Sequence, residues 1–133
     1  MDEVKLREIR DKVILRLEGF GLVITEADHA LIDMLVEQQH QWILTEINHV
    51  SLPAELELVL VDRAAGAWME MKFLTNSLPS FDLGAPGAKT VRLGDTTVEV
   101  VPSMTDADLA RLIIGFLKTR GDDQWSAFRR LRW

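Results

Sequence analysis

A mainly α-helical protein is expected, as an elongated bundle of about four helices with one inserted β-hairpin. Three observations predict it. Four segments repeat apolar residues at helical spacing. One short stretch alternates like strands, around Gly94-Asp95. The second and third periodic segments are each long enough for a helix on the order of 35 Å, the width of a domain this size. The chain has 133 residues, which suits a single domain over 1–133, with loop and hairpin at 76–101 and a C-terminal tail at 121–133. Such a chain buries about two-thirds of its unfolded surface and needs no covalent staple.

The first helix is expected over Asp2–Glu18, where Leu6, Ile9, Val13 and Leu17 share a face and Gly19 and Gly21 stop it. The second is expected from Thr25, with Thr25 and Asp28 as a capping box, to about Asn48. Leu31, Met34, Leu35, Gln38 and Trp42 line one side of it, and Ile32, Val36, Ile43 and Ile47 another. Two apolar sides predict burial on more than one face. The third helix starts at Pro53, a residue suited to a first helical position, and runs to about Thr75. Its stripe is Leu56, Val59, Leu60, Ala64, Ala67, Met71 and Leu74. Ala64-Ala65-Gly66-Ala67 is a small-residue patch where another backbone can come close, which reads as ordinary helix packing.

Residues 76–88 hold Asn76, Ser77, Pro79, Ser80, Gly84, Pro86 and Gly87 and are expected to form a loop. That is long for a plain connection and points to mobility or a function. Lys89–Leu93 and Thr96–Val100 flank Gly94-Asp95 as a hairpin with a two-residue turn, Gly94 supplying a positive φ. The expected register pairs Leu93 with Thr96 and Val91 with Val98, so Val91, Leu93, Val98 and Val100 share a face. A lone hairpin is marginal in water, so that face must pack on its own helices or on another chain. The last helix is expected from Thr105 to about Thr119, with Leu109, Leu112, Ile113, Phe116 and Leu117 as its stripe and Gly121 as its stop. The tail mixes Trp125, Phe128, Leu131 and Trp133 with Arg129, Arg130 and Arg132.

Composition excludes several classes. Apolar residues make up 47% and charged residues 27%, the range of folded domains rather than disordered chains. With no cysteine, disulfides, zinc fingers and thiol catalysis are excluded. A net charge of −6 argues against a main task of gripping nucleic-acid phosphates. No apolar run approaches the ~20 residues of a membrane span, and the N-terminus has no signal-peptide core. The expectation is a protein made and kept inside a cell, or assembled into something there.

Little in the chain suggests chemistry. His29 and His40 share a helix face but stand about 16 Å apart along the axis, too far for one metal ion. His49 lies near the helix end. All three read as exposed polar positions. Glu55 and Glu57 point to different faces, and Asp122-Asp123 lies in a turn, so these acids read as solvated surface. Ser51, Ser77, Ser80, Ser103 and Ser126 have no neighbouring His-and-acid context, and no glycine pattern cradles a phosphate. The reading is no enzyme, no cofactor and no metal. Charge is uneven, however: residues 21–60 hold seven acids and no Lys or Arg, whereas 89–133 hold six acids and eight bases. The tail combines Arg and Trp, types enriched at protein interfaces, unless it folds back on its own body.

Taken in order, these pieces resemble the phage head–tail connector family. The matching stretches are Leu52-Pro53-Ala54-Glu55-Leu56, Val59-Leu60-Val61-Asp62-Arg63-Ala64-Ala65-Gly66, Val91-Arg92-Leu93-Gly94-Asp95-Thr96-Thr97-Val98 and Phe128-Arg129-Arg130-Leu131-Arg132-Trp133. They cover residues 53–133 and are similar to members from siphophages and prophages of Gram-positive bacteria. The resemblance implies a structural virion protein without catalytic residues or cofactor. It implies a homo-oligomeric ring, a dodecamer, between the portal protein and a downstream connector, stopper or tail protein. The ring would complete the head and extend a channel through which DNA passes unbound. The location implied is the virion neck, and the host cytoplasm during assembly. The candidate interface is Val91, Arg92, Leu93, Gly94, Asp95 and Val98 of the hairpin, with Trp125, Phe128, Arg129, Arg130, Arg132 and Trp133 of the tail. The acidic middle of one subunit would meet the basic end of the next. The alternative from another class is a small cytoplasmic helical regulator or chaperone-like binding module, acting as monomer or dimer.

Overall fold

The computed structural model describes residues 1–75, 77, 90–93, 96–99 and 106–129; for 90–93, 96–99 and 106 it describes the backbone alone. The elements in chain order are α1 (Glu3–Glu18), α2 (His29–Ile47), α3 (Glu57–Leu74), β1 (Thr90–Leu93), β2 (Thr96–Glu99), α4 (Asp106–Lys118) and the single turn α5 (Trp125–Phe128). The protein is mainly helical. Among the described residues, no helix is long and apolar enough to cross a membrane.

Local chemistry sets the helix ends. Asp2 lies just outside α1 as its cap, its carboxylate accepting the Lys5 N–H at 2.7 Å. Thr25 and Asp28 form the capping box, with the Thr25 N–H donating to Asp28 Oδ2 at 3.0 Å. They enclose a short 3₁₀ turn, Glu26–Asp28, so the α-helix begins only at His29. Asn48 ends α2 in the left-handed region at φ 56°. Pro53 likewise opens a 3₁₀ turn, Ala54–Leu56, before α3.

The core shows which helix is central. Helix α3 packs against α1, α2 and α4. It buries Val59, Leu60, Val61, Ala64, Ala65, Trp68 and Met69, on almost every side. The others contribute one face each: Ile9, Val13 and Leu17 from α1, then Ile32, Leu35, Val36, Ile43, Leu44 and Ile47 from α2. From α4 come Leu109, Ala110, Ile113, Ile114 and Leu117. This corrects part of the expectation for the two middle helices. On the expected Leu31–Trp42 side of α2, Leu35 is buried and Leu31 packs on the core, but Met34, Gln38 and Trp42 are exposed. Of the expected α3 stripe, Leu56, Val59, Leu60 and Ala64 are buried and Met71 and Leu74 exposed, and α3 buries residues beyond the stripe. Both helices are apolar; only the placement of α1 and α4 decides which is enclosed.

Two glycines allow the packing. The small-residue patch lets α4 approach α3 closely, and a Cβ on Gly66 would lie 2.8 Å from Leu117 Cβ and 3.1 Å from the Lys118 backbone nitrogen. Gly121 turns the chain after α4 at φ +87°, folding α5 back against α2.

Strands β1 and β2 pair antiparallel, Thr90 with Glu99, Val91 with Val98, Arg92 with Thr97 and Leu93 with Thr96. Gly94 and Asp95 of the expected turn, and the loop expected at 76–88 apart from Ser77, lie outside the described residues. So does the expected packing of the Val91, Leu93 and Val98 side chains. Thr105, the expected start of the last helix, and the tail residues Arg130, Leu131, Arg132 and Trp133 lie outside them too.

Candidate interaction surfaces

The tail comes first, because the sequence offered two places for it. Trp125 is only 5% exposed. Its ring meets Trp42 edge-on at 5.7 Å, and its Nε1–H donates to Asp122 Oδ1 at 3.2 Å. The Arg63 guanidinium lies over both rings, 4.4 Å from Trp42 and 5.6 Å from Trp125, and reaches Asp122 Oδ1 at 3.1 Å. The Phe128 carbonyl meets His49 Nε2, and Arg129 pairs with Glu46. Residues 124–129 therefore dock on their own body. Trp125 has no surface left for a neighbour, and Arg129 is already matched by an acid of α2. For the described part of the aromatic–arginine tail, Trp125 to Arg129, the partners are Trp42, Arg63, His49 and Glu46 of the same chain.

Glu57 and Asp122, both expected to be solvated surface, are engaged, as are further acids. Glu57 takes Lys5 at 2.8 Å, and Lys12 as well. Hydrogen bonds from Lys12 and then Lys5 hold the Glu57 carboxyl below its ordinary range, against the opposing effect of burial. Asp33 pairs with Arg10 at 2.9 Å and Asp28 with Lys72 at 3.7 Å. Much of the complementarity between the acidic middle and the basic ends is thus satisfied inside one subunit.

The least expected polar group is Asp62, which is 8% exposed. Arg16 Nε lies 3.1 Å from its Oδ1 and Arg120 Nε 3.1 Å from its Oδ2. Burial pushes this carboxyl above its usual range, while the two guanidiniums pull against burial. The arginines in turn lie over Phe20 and Phe116, at 5.3 and 5.4 Å. This node ties α1, α3 and the end of α4 together. Asp62 was given no role of its own in the sequence; the signal it offered was an acid amid the apolar run Val59–Val61 and Ala64–Ala65 of α3.

Of the histidines, His40 is partly buried, and desolvation lowers its pKa. Among the described residues, no three His, Asp or Glu side chains cluster as metal ligands would.

Apolar surface remains in several places among the described residues, one of them a pocket of about 350 Å³ lined by Met1, Ile9, Val50 and Leu52 between α1 and the start of α3; two others flank α3. The first is an open groove of about 490 Å³ beside the Asp62 node, lined by Lys12, Leu15, Arg16, Leu58, Val61 and Arg120 as well as Asp62. Leu15 and Leu58 on its rim are 70% and 66% exposed. The second lies over α2 and α3, where Met34 is 54% and Trp42 42% exposed, with Trp42, Met71 and Leu74 lining a smaller groove of about 350 Å³. Leu58 and Leu74 stand 16 positions apart on α3. At about 100° per residue they diverge by about 160°, so the two surfaces lie on opposite sides of the central helix.

No family model matches this chain, and no curated protein or solved structure matches it either.

Proposed function

We propose that the chain is a structural subunit of a phage head–tail connector, joining the portal to the tail as a homo-oligomeric ring that extends the DNA channel and completes the head. One observation carries the reading: two apolar surfaces on opposite sides of α3. A ring is built from head-to-tail contacts, each of which uses two different patches of the same subunit. A two-fold dimer needs only one. Large exposed apolar residues gathered at grooves on two sides are therefore what ring closure requires. The chain's net charge of −6 supports a lumen that lets DNA slide without holding it. In this reading the bundle is elongated. The hairpin between α3 and α4, together with 130–133, carries contacts to the portal and to a downstream connector, stopper or tail protein.

The test is a reconstruction of the neck of the phage or prophage particle that encodes the chain. The expected result is density for this fold in a ring directly below the portal. Absence of the chain from complete necks would refute the proposal. The groove beside Trp42 favours a second reading, a cytoplasmic helical regulator or chaperone-like module that holds an apolar client segment. Co-purification with a client at one-to-one stoichiometry, without portal, would support it instead.

A further inference from the structure

The pocket between α1 and the start of α3 holds about 350 Å³, a volume in the range of small-molecule sites, and the middle of α2 reaches it through His40. Its floor belongs to the core, since Ile9 and Leu60 are fully buried. Leu52, from the connection between α2 and α3, is partly buried and adds an apolar wall. The charged side chains of the lining are engaged. Glu57 accepts from Lys5 and Lys12, and Asp2 caps α1. Lys5, the one cationic side chain there, is held by Glu57, so an anion finds no free partner. Two polar groups of the lining are not engaged: the His40 ring and the Ser51 hydroxyl have no hydrogen-bond partner among the described residues. Burial holds His40 below the ordinary histidine pKa, so at pH 7 the ring is uncharged, with one N–H donor and one acceptor nitrogen. A neutral head that both donates and accepts matches this pair. A rigid aromatic body suits the apolar floor, because a flexible chain would lose more rotamer freedom on entry. We infer that this pocket binds a small neutral aromatic alcohol, the class of a phenol, with its ring on Ile9, Leu52 and Leu60 and its hydroxyl between His40 and Ser51. The site shares no lining residue with either groove flanking α3, so the inference is independent of the connector reading.

The test titrates p-cresol into isotope-labelled full-length protein at neutral pH and follows backbone amide and imidazole nitrogen shifts. Saturable shifts should centre on His40, Ser51 and Leu52. The probe p-methylanisole has nearly the same body but no hydroxyl to donate. It should bind about fivefold or more weakly, because it leaves the imidazole acceptor unpaired in the pocket. His40→Leu should remove that difference, bringing p-cresol down toward p-methylanisole. Two variants block the pocket from exposed lining positions, Ala54→Trp and Val50→Trp, the latter at a residue 92% exposed. Each should abolish the shifts, and its amide spectrum shows whether the fold persists. No saturable shift with p-cresol up to its solubility limit overturns the inference. Equal affinity of the two probes for the wild type overturns it too, as does binding that survives in both folded blocking variants. The connector proposal stands or falls separately, on the neck reconstruction.

Discussion

Replacing Trp125 with alanine tests whether the tail belongs to the monomer's core. A tryptophan buries about 150–250 Å². At about 25 cal/mol per Å², that is about 4–6 kcal/mol as an upper bound, since the unfolded chain hides some of the same surface. The edge contact with Trp42 and the Nε1–H bond to Asp122 are lost as well. Trp→Ala changes in cores cost about 3–5 kcal/mol. For a chain of this length each kcal/mol lowers Tm by about 3.5 °C, so the expected drop is about 10–18 °C. Differential scanning calorimetry on dilute protein gives the number, and the shift should not depend on concentration, because the lost contacts lie within one subunit. Trp125→Phe should lose clearly less, since an aromatic ring still fills the space against Trp42. Deleting 124–133 should cost at least as much as Trp125→Ala. A drop below about 4 °C for Trp125→Ala, or one that appears only when the protein is assembled, would refute the placement of Trp125 in the core.

Gly66→Ala should destabilise despite alanine's helix advantage of about 1 kcal/mol. The added methyl meets Leu117 Cβ at 2.8 Å, and overpacking of that kind costs about 1–3 kcal/mol. A urea midpoint at or above wild type would show that α4 yields freely. Asp62→Ala should cost about 3 kcal/mol by leaving Arg16 and Arg120 without their anion, measured by the same titration. Asp62→Leu should recover part of that loss if burial rather than charge dominates there. The Glu57 pKa is lowered in the folded state. Its contribution is therefore fully present above the unfolded value near 4.5 and lost as pH falls through the folded value. Melting curves of Glu57→Gln should consequently show less acid destabilisation than wild type in that window, and identical pH profiles would remove Glu57 as a stabilising ion-pair acceptor.

The readability of this chain differs from element to element for physical reasons. Helix existence and the positions of breaks were legible because periodicity and caps act locally: Ile9, Val13 and Leu17 at helical spacing, the Thr25–Asp28 box, Gly121 at the end of α4. The Ala64–Ala67 patch also declared a close approach, though not that Leu117 and Lys118 would fill it. The candidate surfaces were less legible. Met34 and Trp42 have the side chains of core residues, and periodicity cannot tell an enclosed apolar face from an uncovered one. The first 20 residues spread charge around an apolar stripe in a way that hides Leu15, now exposed beside the groove.

Sequence alone determined that this protein is helical, because side-chain spacing and capping are properties of neighbours along the chain. It determined that residues 21–60 are acidic and that no cysteine chemistry is available. Tertiary structure decided that α3 is the central helix, that Asp62 lies buried between Arg16 and Arg120, and that Trp125 folds back onto Trp42. Those outcomes depend on which helices pack together, and the contacts that settle it join residues tens of positions apart: Glu57 to Lys5, Arg63 to Asp122, Arg129 to Glu46. A charge or an aromatic ring carries no mark in the sequence of whether its partner is water, a distant part of its own chain, or a neighbouring copy.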